Sequence, residues 1–253
     1  MALAGADITG IAAATWPDAG AGGEPAPLPA TVAGMDAELH VSGALHWPSA
    51  GTLVVSDLHL ETGSSFARRR VFVPPYDTAL TLDRLEAAIA ATRPRRVISL
   101  GDSFHDPFGA ERMPEPFRRR LCALAAGREW IWISGNHDRG CAAGMPGEAA
   151  DEIVLHGVAF RHVPTAGPAA AFEVAGPLHP SARILGGGRS VRRRCFAGCG
   201  ARLVMPAFGV LTGGLNVCDP AFRPIWPRLA DVRVFMIGRR AVYPIPSDAL
   251  VPG

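Results

Sequence analysis

Three apolar runs in this chain each end in a cluster of metal-ligand residue types. Leu53-Val54-Val55 runs into Asp57-Leu58-His59, and Val97-Ile98-Ser99-Leu100 runs into Gly101-Asp102. Trp130-Ile131-Trp132-Ile133 runs into Gly135-Asn136-His137-Asp138. Two lone histidines, His162 and His179, follow. Open α/β sheets carry their reactive groups at the carboxyl ends of their strands. A strand-then-ligand pattern repeated three times therefore predicts one sheet edge lined by carboxylates, an amide and imidazoles. Oxygen and nitrogen donors without a thiolate suit two divalent metals and phosphate chemistry.

The rest of the chain fits a sheet-based fold. Asp77 to Thr92 places Leu82, Leu85 and Ile89 at helical spacing and ends before Pro94. Pro116 to Ala126 reads as a second helix, which gives a β-α-β-α-β series. Upstream, Leu39-His40-Val41 and Ala44-Leu45-His46-Trp47 read as a hairpin around Ser42-Gly43. After residue 150 short strands dominate: 153–155, 158–162, 182–185, 191–197, 202–205 and 232–237. A helix-bearing first half and a strand-rich second half predict two sheets packed face to face with helices outside. Residues 1–35, rich in Ala, Gly and Pro, read as a disordered extension. Residues 36–246 read as the folded domain and 247–253 as a tail.

Composition limits the alternatives. With 253 residues and 48% apolar, the chain can bury one substantial core. The net charge is +2, and all 25 basic residues are Arg, whose planar fork binds phosphate bidentately. The five cysteines are odd in number and lack zinc-type pairing, which predicts reduced thiols and a cytoplasmic location. The start of the chain has no signal-peptide pattern. No apolar run approaches the roughly 18 residues of a membrane span, so no membrane association is expected.

Taken in order, Asp57-x-His59, Gly101-Asp102, Gly135-Asn136-His137-Asp138, His162 and His179 resemble the calcineurin-like metallophosphoesterase family. The resemblance implies a four-layer α/β/β/α sandwich of two mixed sheets. It implies that Asp57, His59 and His179 hold one metal, that Asn136 and His162 hold a second, and that Asp102 bridges them. His137 would face the substrate phosphate and donate a proton to the leaving oxygen, a role its pKa range suits. Asp138 would orient His137. Mn²⁺ is the expected ion, with Fe²⁺ or Zn²⁺ as alternatives.

The sequence departs from the family at one ligand. The family's Gly-His-x-His is here Gly176-Pro177-Leu178-His179, and proline carries no donor atom. The second metal site is therefore expected to be weak.

Further segments narrow the resemblance. Gly101-Asp102-Ser103-Phe104-His105 resembles the Gly-Asp-x-Phe-His form of DNA-repair nucleases, which would place His105 near the scissile phosphate. Glu61-x-Gly63-Ser64-Ser65-Phe66-Ala67-Arg68-Arg69, Pro74-Pro75-Tyr76-Asp77-Thr78 and Arg189-Ser190-Val191-Arg192-Arg193 resemble the ligase-associated DNA damage response endonuclease (PdeM) group. So do Pro206-Ala207-Phe208-Gly209 and Thr212-Gly213-Gly214. That group implies a DNA phosphodiesterase acting in repair, with DNA and a DNA ligase as partners. Arg68, Arg69, Arg192 and Arg193 are its candidate phosphate contacts. A phosphoesterase of nucleotides or small phosphoesters, and a metal-poor scaffold subunit of a repair complex, are the alternatives.

Overall fold

The structure is a computed structural model and describes residues 26–137, 144–165, 169 and 171–253. The first sheet contains β1 (Leu28–Val32), β2 (Met35–Leu39), β3 (Leu45–Trp47), β4 (Thr52–Val55), β5 (Arg96–Leu100), β6 (Glu129–Ile133) and β7 (Glu148–Ala150), in that order. β1 to β4 pair antiparallel, and β4 to β7 pair parallel. The helices α1 (Thr62–Arg68), α2 (Asp77–Thr92), α3 (Gly109–Arg112) and α4 (Glu115–Ala125) lie in the crossovers between parallel strands. β4, β5 and β6 are apolar on both faces because both are covered, as is usual for parallel strands.

The second sheet contains β8 (Glu152–Leu155), β9 (Val158–Arg161), β10 (Phe172–Ala175), β11 (Ser181–Gly186), β12 (Arg189–Cys199), β13 (Arg202–Val204), β14 (Arg233–Ile237) and β15 (Val242–Ile245). Its order is β15-β14-β12-β13-β10-β9-β8, with β11 paired to β12. β10 runs parallel to β9 and β13, and the other pairs are antiparallel.

The two mixed sheets pack face to face as expected. Leu39, Trp47, Ile98 and Ile133 of the first meet Phe160, Val174, Phe196 and Phe235 of the second. On the outer face of the first sheet, Leu82 and Leu85 of α2 and Leu121 of α4 cover Leu53, Val55 and Val97. The outer face of the second sheet is covered by 3₁₀ turns, Pro220–Phe222 and Leu229–Asp231, with Phe222 stacked on Trp226.

The predicted domain ends shift. Residues 1–25 lie outside the described residues, but β1 falls within the stretch read as an extension. It forms because Ala30 and Val32 alternate inward and bury against the sheet. At the other end, the predicted tail is docked. Leu250 is buried and bridges Ile184, and the Val251 N–H donates to the Arg183 carbonyl at 3.0 Å. The four described cysteines are free thiols; Cys141 lies outside the described residues.

Candidate metal centre

The ligand-type residues sit where the parallel strands end. Asp57 and His59 follow β4, Asp102 follows β5, and Asn136 and His137 follow β6. His162 follows β9 across the inter-sheet seam, and His179 follows β10. Asp57, His59, Asp102 and His179 take left-handed backbones, with φ of 52°, 43°, 44° and 46°. Side chains with a Cβ avoid that region, and such strain gathers at functional sites. Here it turns the chain sharply as it leaves the sheet and folds these side chains back over the strand ends.

Two glycines make room for the ligands. A Cβ on Gly101 would lie 2.6 Å from the His162 ring. A Cβ on Gly176 would lie 1.8 Å from Ser56 Oγ and 2.9 Å from Asp57 Oδ2. Ser56 Oγ donates to Asp57 Oδ2 at 2.5 Å, so Gly176 lets the serine hold the carboxylate.

The donor atoms converge. Potential ligand atoms of Asp57, His59, Asp102 and His179 lie within 4.8 Å of one another. His179 Nε2 is 3.2 Å from Asp57 Oδ1 and 3.3 Å from His59 Nε2. Asp102 Oδ2 is 3.5 Å from His162 Nε2, 3.8 Å from His137 Nε2 and 4.0 Å from His59 Nε2. That oxygen thus lies between the Asp57 group and His162, where a bridging carboxylate belongs. Asp102 Oδ1 accepts the His137 N–H at 2.9 Å.

Backbone carbonyls set two of the imidazoles. His162 Nδ1 lies 2.9 Å from the Leu100 carbonyl, and His179 Nδ1 lies 3.0 Å from the Gly213 carbonyl. Each Nδ1 donates there and leaves an Nε2 lone pair facing the cluster, the usual arrangement behind a metal-ligating histidine.

The electrostatics call for a cation. Asp57 is fully buried, and burial raises its carboxyl despite His179, His162 and Ser56. Its Oδ1 has no hydrogen-bond donor. Burial and then the neighbouring His179 bring His59 down to about 3, so it stays a neutral ligand. Burial lowers His179, but the Asp57 carboxylate outweighs it and holds the ring above its ordinary value. A divalent cation between Asp57 Oδ1 and the imidazole nitrogens would offset this buried negative charge. Buried carboxylate oxygen and neutral imidazole nitrogen fit such an ion.

The remaining expected residues divide. Asn136 and His162 line one solvent-open cleft of about 590 Å³ with Ser134, Asp151 and Arg161. His137 is 58% exposed and stacks parallel to His105 at 6.2 Å. His105 also lies 5.5 Å from the His59 ring and edge-on to Phe66. Burial and then His137 lower its pKa. Its neighbour Asp106 is bound bidentately by Arg112 at 2.8 and 2.7 Å. Asp138 lies outside the described residues.

Arg68 and Arg69 line a second cleft of about 380 Å³ with Asp106 and Phe108, and Arg68 lies 5.5 Å over the Phe108 ring. Arg192 is tied to the framework instead, donating to Ser181 Oγ at 3.1 Å and to the Gly214 carbonyl. Arg193 is exposed on the same strand. Pro177 is buried beside the cluster and supplies no donor.

Sequence reasoning missed Ser56 and the carbonyls of Leu100 and Gly213. Ser56 had a signal, its position between an apolar strand and Asp57. The carbonyls had none, because any residue carries one.

Comparison with known proteins bears on the family and the fold. The model of the calcineurin-like phosphoesterase family matches residues 51–186. Among solved structures, the nuclease MPE of Pseudomonas putida is similar at 27% identity and a TM-score of 0.66, covering 87% of this chain and 100% of that one. YfcE, a phosphoesterase from E. coli, matches at 15% identity and a TM-score of 0.39, covering 79% of this chain and 96% of that one. A search of curated protein sequences finds no match. No helix among the described residues is long and apolar enough to cross a membrane.

Proposed function

The chain belongs to the calcineurin-like phosphoesterases, and from that premise we propose that it is a divalent-metal-dependent phosphodiesterase that cuts DNA. The observation that carries the proposal is the convergence of Asp57, His59, Asp102 and His179 beside a solvent-open, arginine-flanked surface. The similar Pseudomonas putida protein is a nuclease, which supports a nucleic-acid substrate. The resemblance of its motifs to the ligase-associated repair group supports this reading and, with it, a repair role in the cytoplasm with DNA and a DNA ligase as partners.

The roles are as follows. Asp57, His59 and His179 would hold one ion, Asn136 and His162 would hold another, and Asp102 would contribute to both. The donor set contains oxygen and nitrogen only and suits Mn²⁺, with Fe²⁺ or Zn²⁺ as substitutes. Bound ions would offset charge on the phosphoryl group and make a nucleophile available at neutral pH. Exposed His137 protonates the leaving oxygen. His105, parallel to it, confines the same phosphate. Arg68 and Arg69 on one side, and Arg193 on the other, contact flanking phosphates as planar forks, while Arg192 braces the loop that carries Gly214.

The test compares bis(p-nitrophenyl) phosphate, a mononucleotide and plasmid DNA under added Mn²⁺. The proposal expects turnover of the diester and of DNA. Hydrolysis confined to the mononucleotide would move the chain to the small-phosphoester reading, and no hydrolysis with little metal retained would favour the metal-poor scaffold.

A further inference from the structure

The hairpin of β2 and β3 gathers a second set of ligand-type side chains. Glu38 and His46 are direct cross-strand partners, so their side chains share a face. His40 follows Glu38 by two residues and reaches the same group. Ala37, Leu39, Leu45 and Trp47 take the opposite face and bury in the inter-sheet core. The turn between the strands is closed on itself. The His40 N–H donates to Ala44 O, and the Gly43 N–H donates to His40 O, both at 2.9 Å.

The three side chains meet at one point. His46 Nδ1 lies 2.9 Å and His40 Nε2 3.2 Å from a single oxygen, Glu38 Oε2. Possible ligand atoms of the trio lie within 4.8 Å of one another. The rings stand 6.0 Å apart at 67°. Side-chain exposure is 9% for His46, 16% for His40 and 35% for Glu38, so the point is walled on one side and open on the other.

Tetrahedral zinc with bonds of about 2.0–2.1 Å places its donor atoms roughly 3.3 Å apart. The two imidazole–carboxylate separations are close to that spacing. Two imidazoles and one carboxylate with an open fourth position make a zinc-type donor set. A hydrogen-bonded triad would need each imidazole to commit a proton to the one oxygen. A cation needs each to offer a lone pair.

We propose that Glu38, His40 and His46 bind one transition-metal ion, Zn²⁺ by preference, at a site separate from the Asp57 centre. The ion clamps β2 to β3, and water takes the fourth position. Because β3 pairs with β4, whose end carries Asp57, the clamp secures the strand next to the proposed centre.

The test uses the full chain, stripped by chelation and titrated with Co²⁺. His40→Gln and Glu38→Gln alter half-buried side chains and leave the core face untouched. Co²⁺ bound per chain should fall by one equivalent in each variant, with unchanged far-ultraviolet circular dichroism. In an Asp102→Asn/His179→Gln background, one equivalent should remain, with the intense visible bands of a four-coordinate ion. Zn²⁺ should displace it and raise Tm. Equal Co²⁺ stoichiometry in His40→Gln and the parent chain would overturn the site. So would a folded Asp102→Asn/His179→Gln chain that holds no Co²⁺. If that background does not fold, the stoichiometry of the two hairpin variants decides alone.

Discussion

Replacing Gly176 with Ala tests whether the close approach of the β10 exit to Ser56 and Asp57 builds the proposed centre. The added Cβ would lie 1.8 Å from Ser56 Oγ, where ordinary contact is about 3.5 Å. The pair must therefore separate by roughly 1.7 Å. Ser56 is fully buried, as is Asp57, which accepts its hydrogen bond. Overpacking costs about 1–3 kcal/mol, and a lost bond to a charged group about 1.5–3 kcal/mol. Since the hydroxyl can relax in part, the expected loss is about 3 kcal/mol. Moving Asp57 by about 1 Å should also slow turnover by roughly 10²-fold. Urea unfolding of the chelated chain and hydrolysis of bis(p-nitrophenyl) phosphate with Mn²⁺ measure the two effects. Ser56→Ala removes the offending oxygen. The double variant should therefore recover about 1–2 kcal/mol relative to the sum of the singles. Gly176→Ala with parental stability and rate, or strictly additive singles, would refute the steric argument.

Other perturbations address individual roles. Asp102→Asn should abolish hydrolysis with the fold retained, because an amide offers one neutral oxygen where two cations need shared charge; more than about a tenth of parental activity would end the bridging assignment. His137→Ala should keep its metal, measured by elemental analysis, and lose roughly 10²–10⁴-fold in turnover. Pro177→His should supply the missing donor and tighten the weaker metal site in calorimetric titration; unchanged affinity and stoichiometry would show that Pro177 does not limit it. The pKa of His59 in the folded chain, about 3, lies below its ordinary 6.5, so its neutral ring contributes stability above pH 6.5. That contribution is lost as pH falls from 6.5 toward 3, at up to about 1.4 kcal/mol per pH unit. Metal-free His59→Gln should show a flatter stability profile across that window, and an unchanged slope would reject the assignment.

The sequence made the parallel part of the first sheet legible for a physical reason. β4, β5 and β6 are buried on both faces, so they read as unbroken apolar runs, and α2 carries its stripe at Leu82, Leu85 and Ile89. Elements without such a signal were missed. β10 contains Glu173, buried with Arg202, and a charge in a short run hides a strand until its partner is known. β7 is exposed at Glu148 and Ala149 and has no apolar face to show. β1 carries Pro29, which fits its place at the sheet edge but reads as a breaker in sequence. α1 and α3, with 7 and 4 residues, are too short for a helical period.

The candidate site was legible in its residue types and their order, because the ligand-type residues follow strands whose ends the fold brings together. What the sequence could not show was the asymmetry between its two halves. Around Asp57 the donors are two carboxylates and two imidazoles, buried but for the partly covered His179 and folded back by left-handed backbones. Around His162 the partners are Asp102 and an exposed Asn136, and Pro177 is closed to coordination. An ion in the first half meets charge in a medium that screens it weakly. An ion in the second meets fewer donors beside open solvent, where water competes and screens. Occupancy should therefore be sequential, with the first ion set by Asp57 and the second by the free metal concentration. Activity governed by the second half would then track metal supply, while the integrity of the strand ends would depend on the first.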